Sequence, residues 1–192
     1  MINVAVFVSG GGTNLENLIN WFEGSDKVGI KLVVSSSSKA YAVQRAQNHG
    51  IACVTVSREA FADEKLMMSI LHQFGIRFIV LAGFLRVIPD YLIDAFPERM
   101  VNLHPALLPK FGGMGMYGHH VHEAVKAAGE SETGMTVHYV SNVVDGGRII
   151  AQFSTPVLPE DTPDDIAAKE HVLEMEHFPQ VVEDVLKTLP EY

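Results

Sequence analysis

The sequence predicts a single-domain α/β fold of the doubly wound kind, in which a mostly parallel sheet carries helices on both faces. Apolar, β-branched runs alternate with segments of helical period along the first hundred residues. The runs are continuously apolar, which is typical of parallel strands buried on both faces and joined by right-handed crossovers. A length of 192 residues suits one core. We therefore expect one domain over residues 1–192.

The first half of the chain gives the clearest elements. Between the strands, apolar residues at i, i+3, i+4 and i+7 from Leu15 to Phe22 mark one face of a helix that ends at Gly24. A helix is predicted around 40–48, and a longer one from about Glu59 to Phe74. The predicted strands are Ile2–Val8, Ile30–Val34, Cys53–Val56, Phe78–Ala82 and Met100–His104.

The second half is less regular. Residues 105–118 contain two prolines and four glycines without a clear period, and a loop of this length in a compact domain is typically functional. A short helix at 120–128 follows. Strand-like runs at 133–140 and 148–155 predict an antiparallel hairpin at the edge of the sheet. The last helix is predicted to open at Thr162 with a proline at N1 and a carboxylate at N3.

Composition excludes several classes of protein. Hydrophobic residues make up 47% and charged residues 19%, as in compact soluble proteins. The net charge of −9 disfavours a nucleic-acid partner, and no run is long enough to span a membrane. A lone cysteine, Cys53, excludes an internal disulfide and suits a reducing compartment. The apolar start lacks a basic region, so we expect no signal peptide and a cytoplasmic location.

A glycine-rich segment joins the first strand to the first helix. Its sequence, Ser9-Gly10-Gly11-Gly12-Thr13-Asn14, lets backbone N–H groups approach a ligand beside a helix N-terminus, where phosphate is favoured. A tight turn without a ligand is the alternative. The segment is not a Walker A loop because no Gly-Lys-Ser/Thr follows, and Leu15 stands where a dinucleotide fingerprint has its third glycine.

Two polar side chains share one face of the fifth strand. Asn102 and His104 stand at i and i+2, and Pro105 keeps His104 extended at the end of the sheet where such folds bind ligands. An amide donor beside an imidazole suits oxyanion stabilisation and proton transfer. A hydrogen-bonded strand end fits the spacing equally well. Asp145 precedes two glycines and is either a turn former or a carboxylate that orients His104 and raises its pKa, and His138 is a supporting candidate.

Two further features have alternative explanations. His119, His120 and His122 resemble a metal cluster, but two of them are adjacent and no carboxylate or cysteine partner is evident, so we predict no metal. Arg86 lies in an apolar segment just past the fourth strand. Its guanidinium could hold a carboxylate beside a flat ring, or it could be an ordinary surface arginine.

The run Asn102-Leu103-His104-Pro105-Ala106-Leu107-Leu108-Pro109, with Asp145-Gly146-Gly147, resembles the signature of the folate-dependent formyltransferases. Nearly the whole chain is similar to their glycinamide ribonucleotide transformylase family. The resemblance implies a Rossmann-like fold with a phosphate-binding half at about 1–100 and a catalytic and folate-binding half at about 101–192. It implies that a formyl group passes from the co-substrate 10-formyltetrahydrofolate to the amine of glycinamide ribonucleotide, in purine synthesis. It implies no metal, and either a monomer or a homodimer.

The resemblance also implies roles for individual residues. Asn102 would donate to the oxyanion, His104, made more basic by Asp145, would stabilise it and move the proton, and Asp145 would relay that proton through water. Lys110 would lie near the phosphate. The phosphate and ribose residues would be Gly10, Gly11, Gly12, Thr13, Asn14 and Glu174. The folate residues would be Arg58, Leu85, Arg86, Val87, Ile88, Asn102, Val140, Ser141, Asn142, Val143 and Val144.

Related activities are the main alternatives. A formyltetrahydrofolate hydrolase would use water as acceptor and is expected to carry an extra N-terminal domain, and a methionyl-tRNA formyltransferase is expected to need a C-terminal domain and a basic surface. The chain runs from Met1 to Tyr192 with net charge −9, which favours neither. A nicotinamide oxidoreductase would need an acid after the second strand, where this sequence has serines. A binding domain without turnover would keep phosphate affinity alone.

Overall fold

Seven strands form one sheet in the order β3-β2-β1-β4-β5-β6-β7, and the computed structural model describes all 192 residues. The strands are β1 (Ile2–Val8), β2 (Val28–Ser35), β3 (Ala52–Thr55), β4 (Phe78–Leu81), β5 (Met100–His104), β6 (Glu132–Tyr139) and β7 (Ile149–Pro156). The helices are α1 (Thr13–Trp21), α2 (Tyr41–Asn48), α3 (Arg58–Ala62), α4 (Glu64–Gln73), α5 (Asp90–Ala95), α6 (His119–Ala127) and α7 (Pro163–Lys187). The predicted doubly wound α/β class is confirmed.

The chain divides into two compact units, Met1–Val101 with Val182–Tyr192, and Asn102–Val181. In the first unit, β1 pairs in parallel with β2 and β4, and β2 pairs in parallel with β3. The side chains of β1 are almost all buried, as the continuous apolar run predicts. Leu15, Leu18 and Ile19 form the buried face of α1. The organisation of the chain as a single domain stays a prediction.

In the second unit, β6 pairs antiparallel with β7, which confirms the predicted hairpin at the edge. Thr162 and Asp165 cap α7 reciprocally, since the Asp165 carboxylate accepts from the Thr162 N–H and the Thr162 hydroxyl accepts from the Asp165 N–H. The apolar core of this unit consists of Ala106, Val121, Val125, Val157 and Ile166.

A buried polar group lies beside that core. The Glu170 carboxylate is 1% exposed, accepts a hydrogen bond from the Thr133 hydroxyl, and lies 2.8 Å from Nδ1 of His122. Burial raises the pKa of Glu170 above its ordinary value, although both contacts act in the opposite direction. These three side chains connect α6, β6 and α7.

Two helical segments differ from the sequence prediction. The helix predicted over 59–74 is divided at Asp63, whose extended backbone ends α3 and whose carboxylate accepts from the Leu66 N–H to cap α4. The helix α5 was not predicted, because six residues are too few for an apolar period. No helix combines the length and the hydropathy that crossing a membrane requires.

Candidate active site

Asn102 and His104 stand at the end of β5, in the unit Asn102–Val181. The strand leads directly into the loop that follows Pro105, so both side chains lie where regular pairing stops. His104 is 3% exposed. The structure brings Asn102, His104, His138 and Asp145 together, which the sequence prediction proposed on spacing and resemblance.

The imidazole of His104 is held on both edges. Its Nε2 lies 2.8 Å from the carbonyl oxygen of Phe111, and its Nδ1 lies 3.5 Å from Oδ2 of Asp145. Because a carbonyl only accepts hydrogen bonds, Nε2 carries a proton and donates it to Phe111. Nδ1 therefore faces the carboxylate. A second proton on Nδ1 would make the imidazolium that Asp145 stabilises.

The pKa of His104 is set by two opposing effects. Burial lowers the pKa of His104 below its ordinary value and outweighs Asp145, which acts in the expected raising direction together with the Phe111 carbonyl. His104 is therefore mostly neutral at neutral pH. A neutral imidazole beside a carboxylate can accept a proton and keep the resulting charge.

Asp145 reaches His104 from a turn. Its backbone has φ 56°, a left-handed conformation that Asp adopts more readily than most residues. Burial raises the pKa of the carboxyl, but contacts with His138 and His104 and the N–H of Gly113, which donates to Oδ2 at 2.9 Å, hold that pKa below its ordinary value. Asp145 is thus both the turn former and the orienting carboxylate, which were alternatives at the sequence level.

His138 supports the amide of Asn102. Its Nδ1 lies 2.9 Å from the carbonyl of Tyr139, and its Nε2 lies 3.1 Å from the Asn102 side-chain nitrogen and 3.5 Å from Oδ1 of Asp145. The same amide nitrogen lies 3.4 Å from Oδ1 of Asp145. His138 is 2% exposed, so it is not a surface residue. The effect is to fix the orientation of the Asn102 amide.

Sequence reasoning missed the backbone groups that surround this cluster. The carbonyl of Phe111 and the N–H of Gly113 contact His104 and Asp145, but backbone contacts leave no residue-type signal beyond the glycine-rich loop. Gly112 approaches so closely that a Cβ there would lie 3.3 Å from the Asp145 Cβ and 2.5 Å from the Leu108 side chain. The loop therefore packs directly against the carboxylate.

Thr136 and Gln152 hold the start of that loop. The Thr136 hydroxyl donates to the Ala106 carbonyl at 2.7 Å and accepts from the Leu108 N–H at 3.0 Å. The Gln152 amide donates to the Leu108 carbonyl at 2.8 Å and to the Thr136 hydroxyl at 2.9 Å. The position of Thr136, two residues before His138 on the same strand face, could have identified it from the sequence.

The glycine-rich loop lies in the other unit, Met1–Val101 with Val182–Tyr192, and its three glycines differ. Gly12 has φ 74° and caps α1, and a Cβ there would lie 2.6 Å from the Cβ of Ala42. Around Gly10 and Gly11 no atom lies within 4 Å of such a Cβ, and both are exposed. Arg45 donates to the Gly11 carbonyl at 2.9 Å. Open space over backbone at a helix N-terminus suits an anion.

The predicted folate residues of that unit fall into two groups. Leu85 and Val87 are 56% and 58% exposed and offer apolar surface, whereas Ile88 is buried. Arg58 is exposed at the start of α3. The guanidinium of Arg86 donates to two backbone carbonyls, which an ordinary surface arginine does not do.

The remaining predicted residues lie in Asn102–Val181. Glu174 is half-buried on α7 and lies 3.4 Å from Nδ1 of His171. In the segment 140–144, Val143 is 67% exposed. Its backbone N–H donates to the hydroxyl of Ser141, which closes a turn. Lys110 pairs with Glu130 at 2.9 Å.

The three histidines near the start of α6 do not converge on one point. His119 lies 3.5 Å from Glu123 and 3.6 Å from Asp164, and His120 contacts Glu123 at 3.4 Å. His122 instead points into the core toward Glu170. No group of three or more His, Cys, Asp or Glu side chains is arranged to hold a metal ion.

The chain combines a doubly wound fold with a cluster of amide, imidazole and carboxylate, a set of groups that suits acyl-transfer chemistry, and its sequence places it in a family. The profile of the Formyl transferase family matches residues 2–182, so the chain belongs to this family.

Named relatives narrow the comparison. A Vigna unguiculata protein called chloroplastic phosphoribosylglycinamide formyltransferase is 40% identical over 94% of this chain and 59% of its own length. An Escherichia coli (strain K12) phosphoribosylglycinamide formyltransferase is 32% identical over 94% of this chain and 85% of its own length. The crystal structure of the Anaplasma phagocytophilum enzyme of that name superposes with TM-score 0.89 at 31% identity, over 97% of this chain and 87% of that one. The chain spans less than two thirds of the length of the plant relatives that it matches.

Proposed function

We propose that this protein transfers the formyl group of 10-formyltetrahydrofolate to the amine of glycinamide ribonucleotide, in purine synthesis. The observation that carries the proposal is the cluster of half-buried Asn102, buried His104 and half-buried Asp145, with an amide donor and an imidazole on one strand end and a carboxylate 3.5 Å from the imidazole. Membership in the Formyl transferase family and the names of its relatives support the choice of substrates.

The chemistry follows from the states of these groups. The substrate amine attacks the formyl carbon, and the formyl oxygen becomes an oxyanion. The side-chain N–H of Asn102 can donate to this oxyanion, and the positive charge of His104, once it is protonated, can stabilise it electrostatically. His104 is mostly neutral because burial lowers its pKa, so it can take a proton from the attacking nitrogen and hold it opposite Asp145. Collapse of the intermediate breaks the bond to the folate nitrogen, which receives that proton, directly or through water at Asp145.

We assign the phosphate, the ribose and the folate to different groups of residues. We assign the phosphate to Gly10–Asn14, where open backbone meets the N-terminus of α1, and the ribose to Glu174. The folate is assigned to Arg58, Leu85–Ile88, Asn102 and Val140–Val144, where exposed apolar side chains suit a flat ring. Both ligands are small molecules, and the scheme uses no metal.

The test is turnover by the purified protein with 10-formyltetrahydrofolate, measured as release of the folate product with and without glycinamide ribonucleotide. Release that depends on the nucleotide supports the transferase. Equal release without the nucleotide indicates a hydrolase and contradicts the proposal. Absence of release in both cases indicates another acceptor or a binding domain.

A matched pair of variants ties the activity to the site. His104→Ala should lose most of the turnover while it keeps affinity for the nucleotide, since the phosphate residues are unchanged. His72→Ala, at an exposed histidine near the end of α4, should keep full turnover. Equal activity of both variants would contradict the role of His104.

We also propose a cytoplasmic location. Cys53 is the only cysteine and is a free thiol, which is compatible with a reducing compartment. Burial raises the pKa of this thiol and so favours its unreactive, protonated form. Localisation of the tagged full-length protein in its own cell tests this assignment.

A further inference from the structure

The guanidinium of Arg86 connects the segments that follow two strands by hydrogen bonds. Its Nη1 donates to the carbonyl of Ser57 at 2.7 Å, and its Nη2 donates to the carbonyl of Ser36 at 2.8 Å. The guanidinium carbon lies 6.0 Å from the ring centroid of Phe61. The planar fork of an arginine suits two acceptors in fixed positions.

The two acceptors belong to segments that leave neighbouring strands. Ser36 follows β2, and Ser57 follows β3 and caps α3 by accepting from the Ala60 N–H at 3.1 Å. The next residue is Arg58, which we assign to the folate. Holding the Ser57 carbonyl therefore holds the backbone from which Arg58 projects.

A second set of hydrogen bonds connects the same segments. The Ser36 hydroxyl donates to the Ser9 hydroxyl at 2.6 Å, and the Ser9 hydroxyl accepts from the Leu85 N–H at 2.9 Å. Arg86 thus belongs to a closed chain of contacts that runs from Leu85 through Ser9 and Ser36 back to Arg86. Edge-on contacts of Phe84 with Phe7 and Phe61, at 5.3 and 5.2 Å between centroids, pack beneath it.

We propose that Arg86 is a positioning residue, which holds Arg58 and the apolar segment 85–88 in the geometry that binds folate without itself pairing with a folate carboxylate. The inference rests on the proposed function. Its physical basis is that two donors of one guanidinium bind backbone carbonyls of two different segments and so connect them. The Ser57 carbonyl also accepts from the Phe61 N–H at 3.0 Å, a contact within α3 that does not reach Ser36. Release of these carbonyls would loosen the folate residues together.

The experiment compares wild type, Arg86→Met, Arg86→Lys and the control Arg77→Met, whose arginine is exposed and pairs with Glu191. Steady-state kinetics are measured with 10-formyltetrahydrofolate and with an analogue that ends at the benzamide and lacks the glutamate carboxylates. Amide hydrogen exchange at Ala60 and Leu85 is followed without any substrate. Thermal unfolding identifies a variant that fails to fold, in which case Arg86→Lys replaces Arg86→Met.

For Arg86→Met we expect KM to rise about tenfold for both folates, as for a loss of roughly 1.4 kcal/mol, with kcat within about twofold and the nucleotide KM unchanged. Exchange at Ala60 and Leu85 should become faster, and Arg86→Lys should lie between Arg86→Met and wild type, because one ammonium cannot bridge both carbonyls as the fork does.

Other results overturn the proposal. A rise in KM confined to the glutamate-bearing folate means that Arg86 pairs with a carboxylate. Unchanged KM values mean that the hydrogen bonds of Arg86 do not position the folate residues. Unchanged amide exchange at Ala60 and Leu85 means that the hydrogen bonds of Arg86 do not hold the backbone of these segments. If wild type shows no turnover at all, the proposed function fails, and the exchange measurement still decides whether Arg86 holds these segments.

Discussion

Replacing Asp145 with asparagine tests how the carboxylate acts on His104. The substitution keeps the size of the side chain and an oxygen that can accept from the Gly113 N–H, but it removes the negative charge 3.5 Å from Nδ1 of His104. Two unit charges at this distance attract by about 5 kcal/mol at an effective dielectric constant of about 20. The full attraction applies only to a complete imidazolium.

The expected loss is smaller than that limit. If roughly half of the imidazolium charge has developed in the transition state, the loss is about 2.5 kcal/mol, which lowers kcat by about two orders of magnitude. The pH dependence has a definite sign. Burial lowers the pKa of His104 and Asp145 opposes this, so removing the charge lowers that pKa further. The acidic limb of the profile, where neutral His104 becomes protonated, should move to lower pH.

The assay measures kcat at saturating substrates for the size of the loss, and kcat/KM for glycinamide ribonucleotide as a function of pH for its sign, because this ratio reports groups of the free enzyme. The substrate amine titrates identically with both proteins and cancels in the comparison. A kcat within threefold of wild type would refute the electrostatic role of Asp145. An acidic limb that moved to higher pH would refute the opposing effects of burial and charge on His104.

Substitutions at three other residues test separate parts of the molecule. Asn102→Ala should lower kcat by about 10² to 10³, as for loss of an oxyanion donor, with little change in KM. Glu170→Val should lower the free energy of unfolding by about 1–3 kcal/mol in urea, because it leaves His122 buried without its partner, whereas Glu170→Gln keeps an acceptor and should cost less. Glu191→Gln should destabilise by at most about 1 kcal/mol at pH 7, because it removes a charged pairing with Arg99 that is partly exposed and therefore screened by solvent.

The Glu191 prediction has a defined pH window. Hydrogen bonding to Arg99 lowers the pKa of Glu191 from 4.5 to about 2, so its contribution to stability is present above pH 4.5 and is lost as the pH falls toward about 2. The difference between wild type and Glu191→Gln should shrink across that range. A constant difference would contradict the assignment. A kcat of Asn102→Ala within fivefold of wild type would contradict the role of Asn102 as an oxyanion donor. A free energy of unfolding of Glu170→Val equal to that of wild type would contradict the role of Glu170 as the partner of His122.

The sequence predicted well what depends on side-chain pattern. Continuous apolar runs predicted the strand bounds to within about two residues, because a strand that is buried on both faces consists of apolar residue types. The spacing of Asn102 and His104 indicated the candidate site. Charges and backbone contacts could not be predicted in this way. The direction of the His104 pKa depends on how deeply the side chain is buried, and the part played by Phe111 depends on a carbonyl that every residue has.

The contacts of Arg86 are a second example of backbone interactions that the sequence could not predict. Its residue type suggested either a guanidinium that holds a carboxylate beside a flat ring or a surface arginine, and the sequence could not show that the guanidinium donates to two carbonyls of the chain itself. The break at Asp63 was also missed, because a single capping side chain inside an apolar period changes no apolar position. Such choices are made by tertiary contacts.

The close approach of Gly12 to Ala42 extends the glycine-rich loop to a residue without any functional group. Gly12 fits against α2 because it has no Cβ, since a Cβ there would lie 2.6 Å from the Cβ of Ala42 and 2.9 Å from its Cα, closer than such atoms pack. Neither position can grow unless the other element moves, so the helix surface at Ala42 is under the same constraint as the loop. An alanine that binds nothing should therefore be as intolerant of larger residues as the glycine that it faces, and a screen for loss of activity would identify both.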